Sequence, residues 1–373
     1  MKLDLTANRT FSQNTSFYLK DTIGTDGKYH ISTNNTYNEM GNFSMSYLFV
    51  RTIFSGNSYG ATNTSHVFQA FINNTYFISV KEGRLNPYSG PSSINPGYYS
   101  GYSIYSQNVL IPAFLAAYSG QNPTSVTTIT SKGSVNTFPA IPLPNWTIAY
   151  NIYKPIASIW PWVKKNVTSI TLSNAYTGNY SIGSYTYNAL FKTDANGYPV
   201  ATDLNGDYLP KDQISTVSIS DGFSPLLKIA IAFKSGISSN MEIRDTRQAA
   251  LDLTDLTVTE VHGQEYIIGL GYKIKNVLFP AKIGGKALRN DLILTANLSL
   301  INNEIFVQNA INRSNQITGG QQIITIKTQA EYKISTRVTF RIFLDKVINN
   351  PFISSTFPTS TLDGGIAIRF SLS

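Results

Sequence analysis

Three histidines are the first residues to test for chemistry: His30, His66 and His262. They stand apart, in Tyr-His-Ile, Ser-His-Val and Val-His-Gly contexts. None has a second ligand at metal spacing or a nucleophile beside it, so solvated turn or wall positions account for them. Asp203-Leu-Asn-Gly-Asp207 has the rhythm of a calcium loop but lacks the distal glutamate of an EF-hand, and reads as a polar turn. Gly269-Leu-Gly271 and Gly284-Gly285 flank strand-like sequence with no helix pattern after them, so a nucleotide fingerprint fails on context. The chain has no cysteine, which removes disulfide and thiolate chemistry. No catalytic, metal-binding or cofactor-binding residue is therefore expected, and no cofactor.

What the sequence does space is charge. Near the end of the chain Asp291, Lys327, Glu331, Lys333, Arg341 and Arg369 occupy one parity of alternating runs, and the other parity is oily. The oily positions include Leu294, Leu298, Ile326, Tyr332, Phe340, Ile342, Ile368 and Phe370. Alternation of period two means strands with one apolar and one wet face. The runs are Tyr266–Ile274, Leu292–Leu300, Ile324–Ile334, Val338–Leu344 and Asp363–Ser373. Each approaches the roughly 9–11 residues of a tilted transmembrane strand. If the sheet is a membrane wall, the charged set faces a lumen and the oily set faces lipid. A solvated antiparallel sandwich has the same two faces, so composition leaves both open.

Of 373 residues only 13% are charged, against about 25% in soluble domains. Tyr (23) and Phe (20) are abundant, which favours strands over long helices. The net charge of +8 is spread along the chain without a Lys/Arg run, so nucleic acid is not an expected partner. No run reaches the roughly 20 apolar residues of a transmembrane helix. Met1-Lys2-Leu3-Asp4-Leu5 already alternates, so the chain is expected to have lost a leader or to be a piece of something longer.

The chain divides at changes of texture. Residues 1–82 read as strands: Met1–Tyr18, a polar loop to about Asn42, then Phe43–Phe54 paired with Val67–Val80. Residues 83–146 read as an irregular Pro/Gly-rich insertion. Within it the wholly apolar Val109–Tyr118 should pack as a short helix or turn against a rim or the lumen. Residues 147–373 read as regular antiparallel barrel strands ending in a closing strand. Hairpin turns are expected at Thr177-Gly178-Asn179, His262-Gly263, Asn302-Asn303 and Ser335-Thr336, with longer connections at Lys275–Arg289, Ile311–Gly320 and Val347–Leu362. At Thr254-Asp255 either a tight turn or a bulge fits. Trp146, Tyr150, Tyr153, Trp160 and Trp162 suit an interfacial aromatic girdle or ordinary core positions. The expected fold class is thus all-β: an antiparallel wall segment of a transmembrane β-barrel, about a dozen strands, with one long insertion.

Several stretches go further. FSPLLKI (223–229), EYIIGLGYKIKN (265–276), NQITGGQQIITIK (315–327) and NPFISSTFPTSTLDGGIAIRFSLS (350–373) resemble the C-terminal region of the SprA/Sov family. VLIPAFLAAYSG (109–120) and PLPNW (142–146) do too. That family is the outer-membrane translocon of the Bacteroidetes type IX secretion system, linked to gliding motility. The resemblance implies part of one very large barrel that passes folded proteins. It also implies outer-membrane lipid, secreted proteins in transit and barrel-capping and plug proteins as partners. The chain is several times shorter than full members. The alternative expectation is a self-contained outer-membrane porin or transporter of about 12 strands.

Overall fold

The computed structural model describes every residue except 24, 56, 59–63, 124–137, 279–288, 336, 354–355 and 371–373. The chain begins with β1 (Lys2–Asp4), β2 (Ala7–Ile23) and β3 (Tyr29–Ser46). It then leaves the sheet for α1 (Val50–Ile53), a small ribbon of β4 (Asn57–Ser58) and β5 (Thr64–Ser65), α2 (His66–Leu85) and α3 (Gln107–Ser119). It returns as β6 (Asn145–Asn151), makes an elbow of α4 (Tyr153–Ile159) and α5 (Pro161–Asn166), and runs on as β7 (Val167–Tyr187). The rest is β8 (Asp212–Ile214), β9 (Thr216–Phe233), β10 (Ile237–Asp252), β11 (Thr257–Leu278) and β12 (Arg289–Asn309). β13 (Ser314–Lys333), β14 (Val338–Pro351) and β15 (Thr359–Phe370) complete it. No described helix is long and apolar enough to cross a membrane.

All strands but β4 and β5 form one antiparallel sheet of 13 strands, so the expected all-β class holds. Among the described residues the sheet is open. β15 pairs only with β14, and β1 and β2 pair only with β6 and β3. The insertion splits one strand position. β3 lies along the upper part of β7 (Ser46 beside Asn179), and β6 along its lower part (Trp146 beside Tyr176). Tyr47 N–H donates to Gly178 O, and Leu143 N–H to Ser46 O, so the ladder continues across the split.

The strands are longer than the alternation suggests, reaching 22 residues in β11. His262-Gly263, Asn302-Asn303 and Thr177-Gly178-Asn179 are not turns; they lie inside β11, β12 and β7. Their polarity marks a change in what covers the face, while the backbone stays extended. Thr254-Asp255 is the tight turn, closed by Leu256 in the left-handed region (φ 55°). The connection expected at Ile311–Gly320 is a short turn, since β12 ends at Asn309 and β13 begins at Ser314. Of Val347–Leu362, residues 347–351 and 359–362 belong to β14 and β15. Most of Lys275–Arg289 lies outside the described residues. The residues expected as a polar loop before Asn42 form most of the β2–β3 hairpin.

Residue 82 lies inside α2. Val67–Val80 is not a strand but most of α2. The buried residues Val67, Phe68, Phe71, Ile72, Thr75, Ile78, Ser79 and Glu82 follow a helical repeat. Aromatic and β-branched residues there suggested a strand; burial on one helical stripe overrides that propensity. Ser65 starts the helix by accepting from Phe68 N–H (3.2 Å). Val109–Tyr118 is helical and lies in α3, where Asn108 to Ser119 are all buried. Gly120, in the left-handed region (φ 65°), ends it.

Candidate functional site

Antiparallel register lines up the oily parity across the sheet. Tyr272, Leu294, Ala330, Ile342 and Ile366 are neighbours on β11 to β15. One row away are Leu270, Ala296, Thr328, Leu344 and Gly364. The next row is Leu172, Ile229, Met241, Ile268, Leu298 and Ile326, and then Lys346 on β14. Leu298, Ile326, Ile342, Ile368 and Phe370 are exposed; Leu294 and Phe340 are half-buried. Tyr332 shares the face but is buried (4% exposed): its hydroxyl accepts from Asn290 N–H and donates to Val277 O. A contiguous exposed apolar face of this extent marks a surface that meets something other than water.

Along the strands the face ends sharply on the side toward the insertion. Beyond Ile243, Tyr266, Leu300 and Ile324 comes a polar row of Asp245, Gln264, Asn302, Gln322 and Asn350. Gln322 Nε2 donates to Asn302 Oδ1 (3.0 Å) and Gln264 Nε2 to Asp245 Oδ2 (3.1 Å). Past that row the same face is covered by α1, α2 and α3, over Tyr180, Ile182, Val217, Ile219, Ala249, Leu251 and Val258. On β10 the odd parity passes from exposed Met241 to buried Asp245, Arg247, Ala249 and Leu251. The insertion thus sits on the oily parity, above the bare part, and not on the charged parity. From Tyr266 to Ile274 the bare part runs about 30 Å at roughly 3.3 Å per residue. Tilted by about 40° it is about 23 Å tall, against about 25 Å for the apolar band of outer-membrane barrels.

Arg247 fastens the insertion. The side chain is 2% exposed and forks onto Asp221, Nε to Oδ1 at 3.0 Å and Nη2 to Oδ2 at 3.1 Å. Its remaining donors reach Thr52 O and Thr52 Oγ1, each at 3.0 Å. Tyr118 of α3 donates to Glu260 Oε2 (2.9 Å). A buried charge pair is tolerable when every donor and acceptor is met, and here the partners come from both the sheet and α1.

The opposite face gathers the charges. Asp291 pairs with Lys273 (2.8 Å). Lys327 lies opposite Asp345, Glu331 opposite Arg341, and Lys333 and Arg369 flank Thr339. All share this face by register. Lys327, Lys333, Arg341 and Arg369 are exposed, and Asp291 and Glu331 half-buried. Reading the sequence missed a second group here. Lys228 and Arg244 both hold Glu242 (2.8 and 2.6 Å), Arg244 reaches Glu265 (2.9 Å), and Ser299 donates to Glu265 Oε1 (3.0 Å). The chain of contacts crosses β9 to β12. The signal was the close sequence Glu242-Ile-Arg244-Asp245-Thr-Arg247, whose charges divide between the two faces. Apolar Ile267, Ile293, Ile301, Ile323 and Phe343 are interspersed on the same face, so it is mixed rather than uniformly polar.

Among the described residues no group of three or more His, Cys, Asp or Glu side chains could hold a metal ion. His262 sits under the insertion's margin, its Nε2 2.9 Å from Asp245 Oδ1. Asp203 closes its own turn by accepting from Asn205 and Asp207 N–H, and Asp207 is bound to Ser103. No protein-family model matches the chain and no curated protein is detectably similar to it. The resemblance noted above therefore rests on its quoted stretches alone.

Proposed function

We propose that this chain is a wall segment of an outer-membrane protein-conducting channel, the translocon of a type IX secretion system, serving secretion and gliding motility. The observation that carries the membrane part is the bare apolar band. It is of bilayer height, is bounded by a polar row, and is backed by a charged face. The identity of the cargo pathway rests on the sequence resemblance. In this reading the oily face meets outer-membrane lipid. The charged face lines the passage for secreted proteins, and barrel-capping and plug proteins close it. The lining mixes both signs with amides and aliphatics. That suits surfaces of varied chemistry better than the single-sign ring of an ion-selective pore. The unpaired edges support a segment over the porin alternative, which would pair β15 with β1 and β2.

The test is secretion of a reporter cargo from cells carrying changes in the intact gene. Deleting residues 366–373 removes ladder bonds that have no substitute in lipid and should abolish secretion. Lys327→Ala, one of many lining charges, should leave it nearly unchanged. Normal secretion after the deletion refutes the reading.

A further inference from the structure

The elbow between β6 and β7 is the part of the molecule that the wall does not require. α4 and α5 expose Ile159, Trp160 and Trp162, and the neighbouring Tyr150 of β6 is exposed as well. Large aromatic side chains left bare at a bend are costly in water and are not random here. The elbow's inner side, Val163 with Ile156 and Tyr153, packs on Val167, Ile170, Ile231 and Phe233. Trp162 meets Phe233 edge-on, ring centres 6.5 Å apart. Ile170 and Ile231 are register partners on the oily parity, one row from Leu172 and Ile229. The elbow therefore lies on the apolar face, at the end opposite the insertion.

Charge there has one sign. Lys154, Lys164 and Lys165 belong to the elbow, and Lys234 donates to Lys164 O (2.9 Å). Between residues 145 and 193 there is no Asp or Glu. Tryptophan beside lysine at the rim of an apolar band is the chemistry of the bilayer's polar boundary. The indole sits at headgroup depth, and the ammonium groups meet phosphate.

The geometry points to the α4–α5 elbow as an interfacial anchor that holds the phospholipid headgroup layer, with preference for anionic lipid, and so fixes the depth of the wall. This inference rests on the membrane reading above. The insertion and the elbow then frame the band from its two ends.

The test uses the full chain in phospholipid vesicles. Trp146→Phe leaves Trp160 and Trp162 as the only indoles, since the chain has three. Lipids brominated near the headgroup should quench them more than lipids brominated at the chain terminus. A single cysteine introduced at Leu270, unique because the chain has none, carries a dye that reports mid-band depth. Preference for phosphatidylglycerol over phosphatidylcholine next to the indoles should fall about fivefold for each of Lys164→Gln and Lys165→Gln, the equivalent of ~1 kcal/mol per lysine. Deep quenching at position 270 with unquenched tryptophans, or with no lysine effect, overturns the anchor and leaves the wall reading intact. Tryptophans quenched most from the chain terminus overturn it too. Loss of quenching at both places overturns the wall reading and the anchor together.

Discussion

Glu82 is the residue whose environment is most at odds with its charge. It lies on the buried stripe of α2, is fully buried, and neither carboxylate oxygen has a hydrogen-bond partner. Burial pushes its pKa up from 4.5 to about 8. The folded value exceeds the unfolded one. Stability from the neutral acid is therefore complete below about pH 4.5 and is lost as pH rises toward about 8. The insertion should accordingly become more protease-sensitive between pH 5 and pH 8. Glu82→Gln should flatten that dependence and protect the insertion at pH 8; an unchanged profile would show that the carboxyl finds a partner. Arg247 makes the opposite case, a buried charge fully partnered. Arg247→Met strands Asp221 and should cost roughly 3–5 kcal/mol, read as faster proteolysis of α1 to α3. Adding Asp221→Leu should recover part of the loss, because the unpaired carboxylate is the larger penalty. Neither residue was legible in sequence. Glu82 stands in an unremarkable Lys-Glu-Gly, and Arg247 acquires its role from Asp221 and Thr52, far away in the chain.

At the scale of elements, what sequence revealed was parity, and parity was reliable where one medium covers a whole strand. Tyr266–Ile274 and Leu292–Leu300 were legible because their entire length is bare and apolar on one side. It failed where the covering changes partway. Asn302-Asn303 and His262-Gly263 looked like turns because the apolar stripe ends there, yet the strands continue under or beside the insertion. α2 was lost for the converse reason: strand-forming residue types sit on a helical stripe, and only the packing partner decides. The apolar edge also steps across the sheet. Lys346 on β14 lies in the row of Leu298 and Ile326. Rows run perpendicular to tilted strands, so one row crosses different depths. The centre of the band on β14 therefore falls near Ile342. Ile342→Arg should cost about 2–4 kcal/mol and block assembly in the membrane. Phe343→Arg, one residue on and facing the charged side beside Arg341, should assemble normally. Assembly yield by heat-modifiable gel mobility decides it; equal losses would mean that the two faces meet the same medium.

At the scale of the molecule the open edges dominate. Twelve residues of β15 and the outer sides of β1 and β2 present backbone groups with no partner strand among the described residues. In hydrocarbon each unmet N–H or C=O costs several kcal/mol, which is why barrels close. On the membrane reading proposed above, both edges would therefore be met by further strands: those of a neighbouring copy when the chain is alone in vesicles, or those of the rest of the wall in the outer membrane. Hydrogen exchange measures this directly. With the chain alone in detergent, the β15 amides that point away from β14 should exchange within minutes, while those bonded to β14 stay protected, giving a two-residue alternation along Thr359–Phe370. In assembled outer membranes carrying the intact gene product, the outward amides should become as slow as the inward ones, and those of β2 likewise. Protection at both edges in the isolated chain would mean that β15 closes onto β1 and β2, the porin topology. Fast exchange persisting in the membrane would mean that the edge is wet, and the wall reading would fall with it.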